Sequence, residues 1–366
     1  MNPQSCLSRV LLAAGMGMLA AGGLTQSACA ADPYKIVNSS QTMGTGGIDY
    51  VFADSDGRRL YVPRGGQVLV FDLDTLKSVG AISNSGGHGV AVDPGTHHGF
   101  SSRNPITMFD TTTLQTIKSI PVEGGPDNIL FEPATQRVYA FSHRAPNVTV
   151  IDPKDGSIAG TFDLGGAPEQ PASDGKGRVY VALEDKDQIA VVDANALKVT
   201  ARYSLGGKGG GPSGLGLDAK NHILFAFCRE PATCVVLSAD DGKILASLPI
   251  GNGTDGGGFN PNTMEAFSSQ RDGTLTIIKE NSPTSFEVEQ TVTTKPGAKT
   301  CTLDSKNNRI ILIATEAAPA PAAAAGTAPA PATPPANADQ PGGGRRGGRG
   351  ARGGPGFLDI LVVGRQ

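Results

Sequence analysis

At 366 residues with a formal charge of −3, the chain is long enough for one large domain and has no global pull toward nucleic acid or anionic membrane. Its 50 glycines and 26 prolines suit short strands and tight turns, and its five cysteines are too few for a disulfide-built scaffold. The absence of tryptophan excludes a tryptophan-derived quinone cofactor.

In chain order, Arg9 precedes a largely apolar run over residues 10–24, followed by Ser27, Ala28, Cys29 and Ala30. This is the pattern of an export signal over residues 1–30 with cleavage after Ala30. Gln26 stands where a lipoprotein signal places leucine, and no paired arginine is present. No later stretch has the length of a membrane span. The mature chain, residues 31–366, is therefore expected to be periplasmic or secreted, without membrane insertion and monomeric.

From there one phrase recurs: an apolar strand, a turn opened by an acid or amide, a second strand, a third ending near Asp, a fourth, and a Gly-rich bend. It reads AVDPGTHHGF, LFEPATQRVYAF, ASDGKGRVYVAL, LGLDAKNHILFAF and GFNPNTMEAFSS. The turn residues are Asp54, Asp93, Glu132, Asp174, Asp218, Asn260 and Asp304, at spacings of 39, 39, 42, 44, 42 and 44. That is the period of a four-stranded propeller blade. Aspartate and asparagine at these places bond their own backbone, and proline presets φ, which is why the phrase makes turns.

The third strands confirm the register, VLVFD ending at Asp72, ITMFD at Asp110, VTVID at Asp152 and IAVVD at Asp193. From turn residue to third-strand end the first six copies take 17 to 20 residues, whereas Asp304 to Gly364 takes 60. The excess matches a Pro/Ala- and Gly/Arg-rich stretch over residues 316–356, expected to be a disordered insertion in the last blade. The last copy also lacks a fourth strand before Gln366. Residues 34–43, YKIVNSSQTM, lead into Gly44-Thr45-Gly46-Gly47 as fourth strands elsewhere lead into Gly-rich crossings. The expected fold is all-β: a seven-bladed β-propeller of four-stranded antiparallel blades, closed by pairing of the N-terminal strand with the last blade, which leaves no open edge there.

The segments GRRLYVPRGGQVLVFDLDTLKSVGAI and GRVYVALEDKDQIAVVDANALKV resemble YVTN-family (YncE-like) β-propeller repeats. The resemblance covers the mature chain apart from the insertion, and the lack of tryptophan argues against the tryptophan–aspartate repeat class. It implies an exported seven-bladed propeller whose molecular role is often unassigned; relatives by fold include lactonases and quinoprotein or copper enzymes.

Aligning the fourth-to-first crossings places Asp49, His88, Asp127, Glu169, Ser213, Asp255 and Lys299 at one mouth of the central channel. Four carboxylates and an imidazole there suit a divalent cation or a cationic group, with binding that weakens as pH falls. The same residues also suit plain turn chemistry. The second-to-third loops open on the same face and carry Arg64, Arg103, His143 with Arg144, Arg229 and Arg271, forks for carboxylates or phosphates. Together they suit a small zwitterion or a sugar acid. Alternatively, the arginines pair with the carboxylates or stay in water.

Cys228 and Cys234 flank REPAT, a five-residue connection between paired strands, and are expected to bridge in an oxidising compartment or else to stay as two small apolar side chains. Cys301, in an inner strand, is expected to be a buried free thiol. No CxxCH occurs, and the histidines beyond residue 30 (His88, His97, His98, His143 and His222) fall in different blades except for the adjacent pair. Covalent haem and a multi-copper cluster are thereby disfavoured. The expected function is a binding or scaffold module for an unknown small ligand or protein partner, with no cofactor beyond a divalent cation. The alternative is a lactonase-like hydrolase using an acidic channel mouth.

Overall fold

A computed structural model describes residues 32–318 and 355–366. The expected signal peptide lies outside the described residues, as does residues 319–354 of the expected insertion. Glu316, Ala317 and Gly356, which the composition places in that insertion, belong instead to the strands Arg309–Ala317 and Gly356–Gly364, paired to their ends. No helix among the described residues is long and apolar enough to cross a membrane.

The described residues from Pro33 onward form a seven-bladed propeller, their strands making seven four-stranded antiparallel sheets. Each of the first six blades is consecutive in sequence, as in blade 1, Phe52–Asp54, Arg59–Arg64, Gln67–Asp72 and Ser78–Ser83. The inner strands of blades 2 to 6 are Val90–Asp93, Pro126–Glu132, Pro168–Ser173, Pro212–Asp218 and Thr254–Asn260. Blade 7 is composite, in the order Lys35–Gly44, Gly356–Gly364, Arg309–Ala317, Thr300–Asp304. Lys35 pairs with Gly364 and Gly44 with Gly356, so the N-terminal strand supplies the missing outer strand. The repeated turn residue ends the inner strand in six blades, and in blade 4 it follows at the next position.

The core is divided into seven apolar clusters, one at each junction between neighbouring blades. Strand periodicity explains this, because successive side chains point to opposite faces and both faces of a blade are covered. In blade 7, Ile310, Leu312 and Ala314 pack toward blade 6, while Ile311 and Ile313 pack toward blade 1. The second and third strands are therefore apolar nearly throughout, as in ILFAFC, where all six residues are buried. The fourth strands alternate, as in Lys198–Ser204, because one of their faces meets water.

On the face opposite the predicted mouth, the turn residues also staple blades together. Buried Glu132 accepts hydrogen bonds from its own turn, at Ala134 N and Thr135 N, and from blade 4 at Gly177 N. Asp304 of blade 7 receives both terminal nitrogens of Arg58 from blade 1, at 2.7 and 2.9 Å.

The expected Cys228–Cys234 bridge is absent, and both thiols are free and buried, as is Cys301. The register is the reason: Cys228 lies opposite Thr233, and Cys234 opposite Phe227. Partners across a ladder share a face while neighbours along a strand do not, so the two sulfurs point to opposite sides of blade 5. Cys228 packs in the cluster with blade 4 and Cys234 in the cluster with blade 6.

Candidate functional site

The crossings into the inner strands converge on one mouth of the channel, where they line a cavity of about 730 Å³. Asp49, His88, Asp127, Glu169, Asp255 and Lys299 all reach it, each from a different blade. From the second-to-third loops come His143 and Arg144 of blade 3, Arg229 of blade 5 and Arg271 of blade 6.

Eight of these side chains form a closed ring in which acid and base alternate. His88 Nδ1 lies between Asp49 Oδ2 at 2.7 Å and Asp127 Oδ1 at 2.9 Å. His143 Nε2 follows, 3.5 Å from Asp127 and 3.8 Å from Glu169. Arg229 Nη2 is 3.5 Å from Glu169 Oε1 and also donates to Asp255. Lys299 Nζ donates to Asp255 and, at 3.0 Å, to Asp49 Oδ1, which closes the circuit.

Burial grades this ring. Asp255 and Glu169 are nearly covered, whereas the imidazoles of His88 and His143 are about half open to solvent. Burial, with the charge of Asp255 next, pushes the Glu169 carboxyl up to about 9, against the pull of Arg229. Hydrogen bonds to Asp127 and Asp49 lift His88 to about 10, so it is an imidazolium at neutral pH. Burial alone would raise Asp49, but the His88 hydrogen bond and the Lys299 ammonium outweigh it and hold that carboxyl below its usual range. Burial opposes the charge on Lys299, and Asp255 and Asp49 more than restore it.

The mouth is consequently not acidic, contrary to the sequence reading. Five carboxyls line it against four Lys and Arg side chains. Protonation of His88 adds a fifth cation, so carboxyls and cations are matched five to five, and the upward shift of Glu169 works further against a negative mouth. Glu169 is raised, by burial first and by the neighbouring acids second; the balance of the whole turns on His88, whose two carboxylate partners the sequence does not identify.

Not every predicted residue arrives. Arg64 is buried and donates to Thr42 O and Gly356 O, joining blade 1 to blade 7. Arg103 turns to Asn84 O at 3.1 Å. Both lie away from the cavity lining. Ser213 is buried and donates to Thr254 O.

Among the lining residues that escaped the sequence reading, two have side chains that bond the ring. Tyr50 Oη donates to Glu169 Oε2 at 2.7 Å, and Glu184 receives Arg229 Nη1 at 2.6 Å. Glu184 follows the second strand of blade 4 directly, the register of His143, Arg229 and Arg271, so alignment by position rather than by charge would have found it. Below the ring, Gln170 bonds two other inner strands, accepting from Leu215 N and Gly257 N and donating to Gly257 O. This approach needs glycine: a Cβ at Gly214 or Gly216 would stand 2.9 or 2.7 Å from the backbone of blade 6.

Two triads have donor atoms close enough for one metal ion, Asp49–His88–Asp127 and Asp127–His143–Glu169. Both need Asp127, and in the first the His88 nitrogen is already engaged as a proton donor to two carboxylates. A divalent cation there must displace that proton and tolerate Lys299 beside Asp49.

No protein-family profile matches the chain, and no curated protein matches it. Solved structures do match in fold. The chain is similar to the WD40 repeats of RRP9 (TM-score 0.63, 11% identity, 74% of this chain and 89% of that one). It is similar to U3-55K (0.64, 11%, 76% and 92%) and to a chain of a mitotic checkpoint complex (0.65, 11%, 84% and 96%). At that identity the likeness is one of fold, and it extends to chains without the tryptophan that names those repeats.

Proposed function

We propose that this chain is an exported, YVTN-like propeller that binds a small charged ligand at the channel mouth. The observation that carries the reading is the alternating ring, with its ion pairs set on seven packed blade junctions around an open cavity. Preformed charges on a stiff frame recognise a ligand without the cost of ordering loops. Export rests on the signal-like pattern of residues 1–30, and the family resemblance rests on the repeat phrase.

The lactonase-like alternative requires a carboxylate free to take a proton from water or to hold a metal. Asp49, Asp127 and Asp255 are each engaged by a cation, and Glu169 keeps its own proton at neutral pH, which favours binding over hydrolysis. The test combines a thermal-shift screen of amino acids, sugar acids, organic acids and polyamines with a lactone assay run with and without chelator. We expect one class to raise the melting temperature of the wild type, and to raise that of an Asp127→Asn/Glu169→Gln double variant by a clearly different amount because the charge of the mouth has changed, with no lactone turnover. Chelator-sensitive turnover would replace this reading with the hydrolase.

A further inference from the structure

We infer that the ligand is a linear dianion, of the dicarboxylate class, held at its two ends by Arg144 and Arg271 across the mouth; this rests on the binding role proposed above. The second-to-third loops bring arginines from five blades to this face, and the structure disposes of three of them. Arg64 is tied to backbone carbonyls at the blade 1–7 junction, Arg103 to Asn84 O, and Arg229 to three carboxylates of the mouth, Glu169, Glu184 and Asp255. Arg144 and Arg271 remain. Both line the cavity, both are exposed, and among the described residues neither guanidinium has a side-chain or carbonyl partner.

Their placement is what selects two anionic ends. Arg144 follows the strand Arg137–Ser142 of blade 3, and Arg271 follows Glu265–Gln270 of blade 6. In a ring of seven, blades 3 and 6 are three steps apart one way and four the other, which is as near to opposite as seven positions permit. Guanidinium forks donate to carboxylates in a bidentate, planar manner, so one at each side of the opening fits a carboxylate at each end of a chain. Beneath that span the ring repels little, because Asp49, Asp127 and Asp255 are neutralised by His88, Lys299 and Arg229. A divalent cation meets the opposite situation, with the unpaired charges of the mouth against it.

The experiment is calorimetry on the mature chain with butyrate and with the straight dicarboxylates from malonate to suberate, at low salt. Affinity should peak at one chain length and exceed that of butyrate by about tenfold there, the worth of one further charge-assisted pair. Arg144→Ala and Arg271→Ala should each bring the best dicarboxylate down to the butyrate level while leaving the melting temperature of the free protein unchanged. Dicarboxylates no better than butyrate, or a peak that survives either substitution, would overturn the dianion. If another class in the screen binds and the ring double variant clearly changes its shift, the dianion falls and the mouth stands. If no class binds, both fall.

Discussion

Glu169 and His88 make the mouth sensitive to pH in the same direction. A carboxyl raised from its ordinary 4.5 to about 9 binds a proton in the folded chain that the unfolded chain has released, so its contribution to stability declines as pH rises from 4.5 to 9. His88, raised from 6.5 to about 10, contributes stability that is complete below 6.5 and is lost as pH rises through 10. Half-exposed, its share is at most about 1 kcal/mol. Glu169→Gln keeps the shape and removes the penalty. The variant should match the wild type in urea at pH 4 and exceed it by about 1 kcal/mol or more at pH 9. Equal midpoints at both pH values would mean that folding leaves the Glu169 carboxyl unshifted. Anion binding at the mouth should likewise weaken above pH 9, the reverse of the dependence expected for a metal site.

The strand Lys35–Gly44 completes blade 7, and the residue before it is what fastens it to blade 6. Gln290 holds Tyr34 by both backbone groups, each at 2.8 Å, and Tyr34 Oη donates to Glu265 Oε2 at 2.5 Å. Arg365 lies over the ring, 4.5 Å from its centre, and pairs with Glu265 and Glu289. The aromatic body packs in the cluster at the blade 6–7 junction. Tyr34→Ala should therefore cost about 3 kcal/mol, as expected of a buried aromatic. Tyr34→Phe, which removes only the hydroxyl and leaves Arg365 on Glu265, should cost about 1 kcal/mol. Urea midpoints measure both, and a cost below about 1 kcal/mol for Tyr34→Ala would show that the closing strand is held by its ladder alone.

Seven separate apolar junctions carry the whole molecule, and each depends on two blades, so no blade is stable without its neighbours. Polar links inside the channel add connections that skip a blade. Gln170 of blade 4 reaches blades 5 and 6 at once, and its loss would leave Leu215 N, Gly257 N and Gly257 O without this partner. Gln170→Ala should cost about 2 kcal/mol in urea unfolding. A loss under about 0.5 kcal/mol would mean that water replaces the amide fully.

Period, turn chemistry and strand endings are local properties, and they determined the blade count, the face on which the crossings meet and the composite last blade. A turn acid at a spacing near forty, and an unpaired first strand matched to a missing last one, need no knowledge of packing. The six crossing residues of the mouth were legible for the same reason, since a repeat carries equivalent positions to equivalent places. Pairing was not legible. Which arginine meets a carboxylate, a carbonyl or nothing depends on side chains from blades far apart in sequence. Only the tertiary structure placed Arg229 among acids and left Arg144 and Arg271 free. The cysteines show how narrow that margin is: one step of register sets Cys228 and Cys234 on opposite faces of a strand pair. The charge of the mouth was decided in the same way, by burial that returns a proton to Glu169 and by acids that hold one on His88.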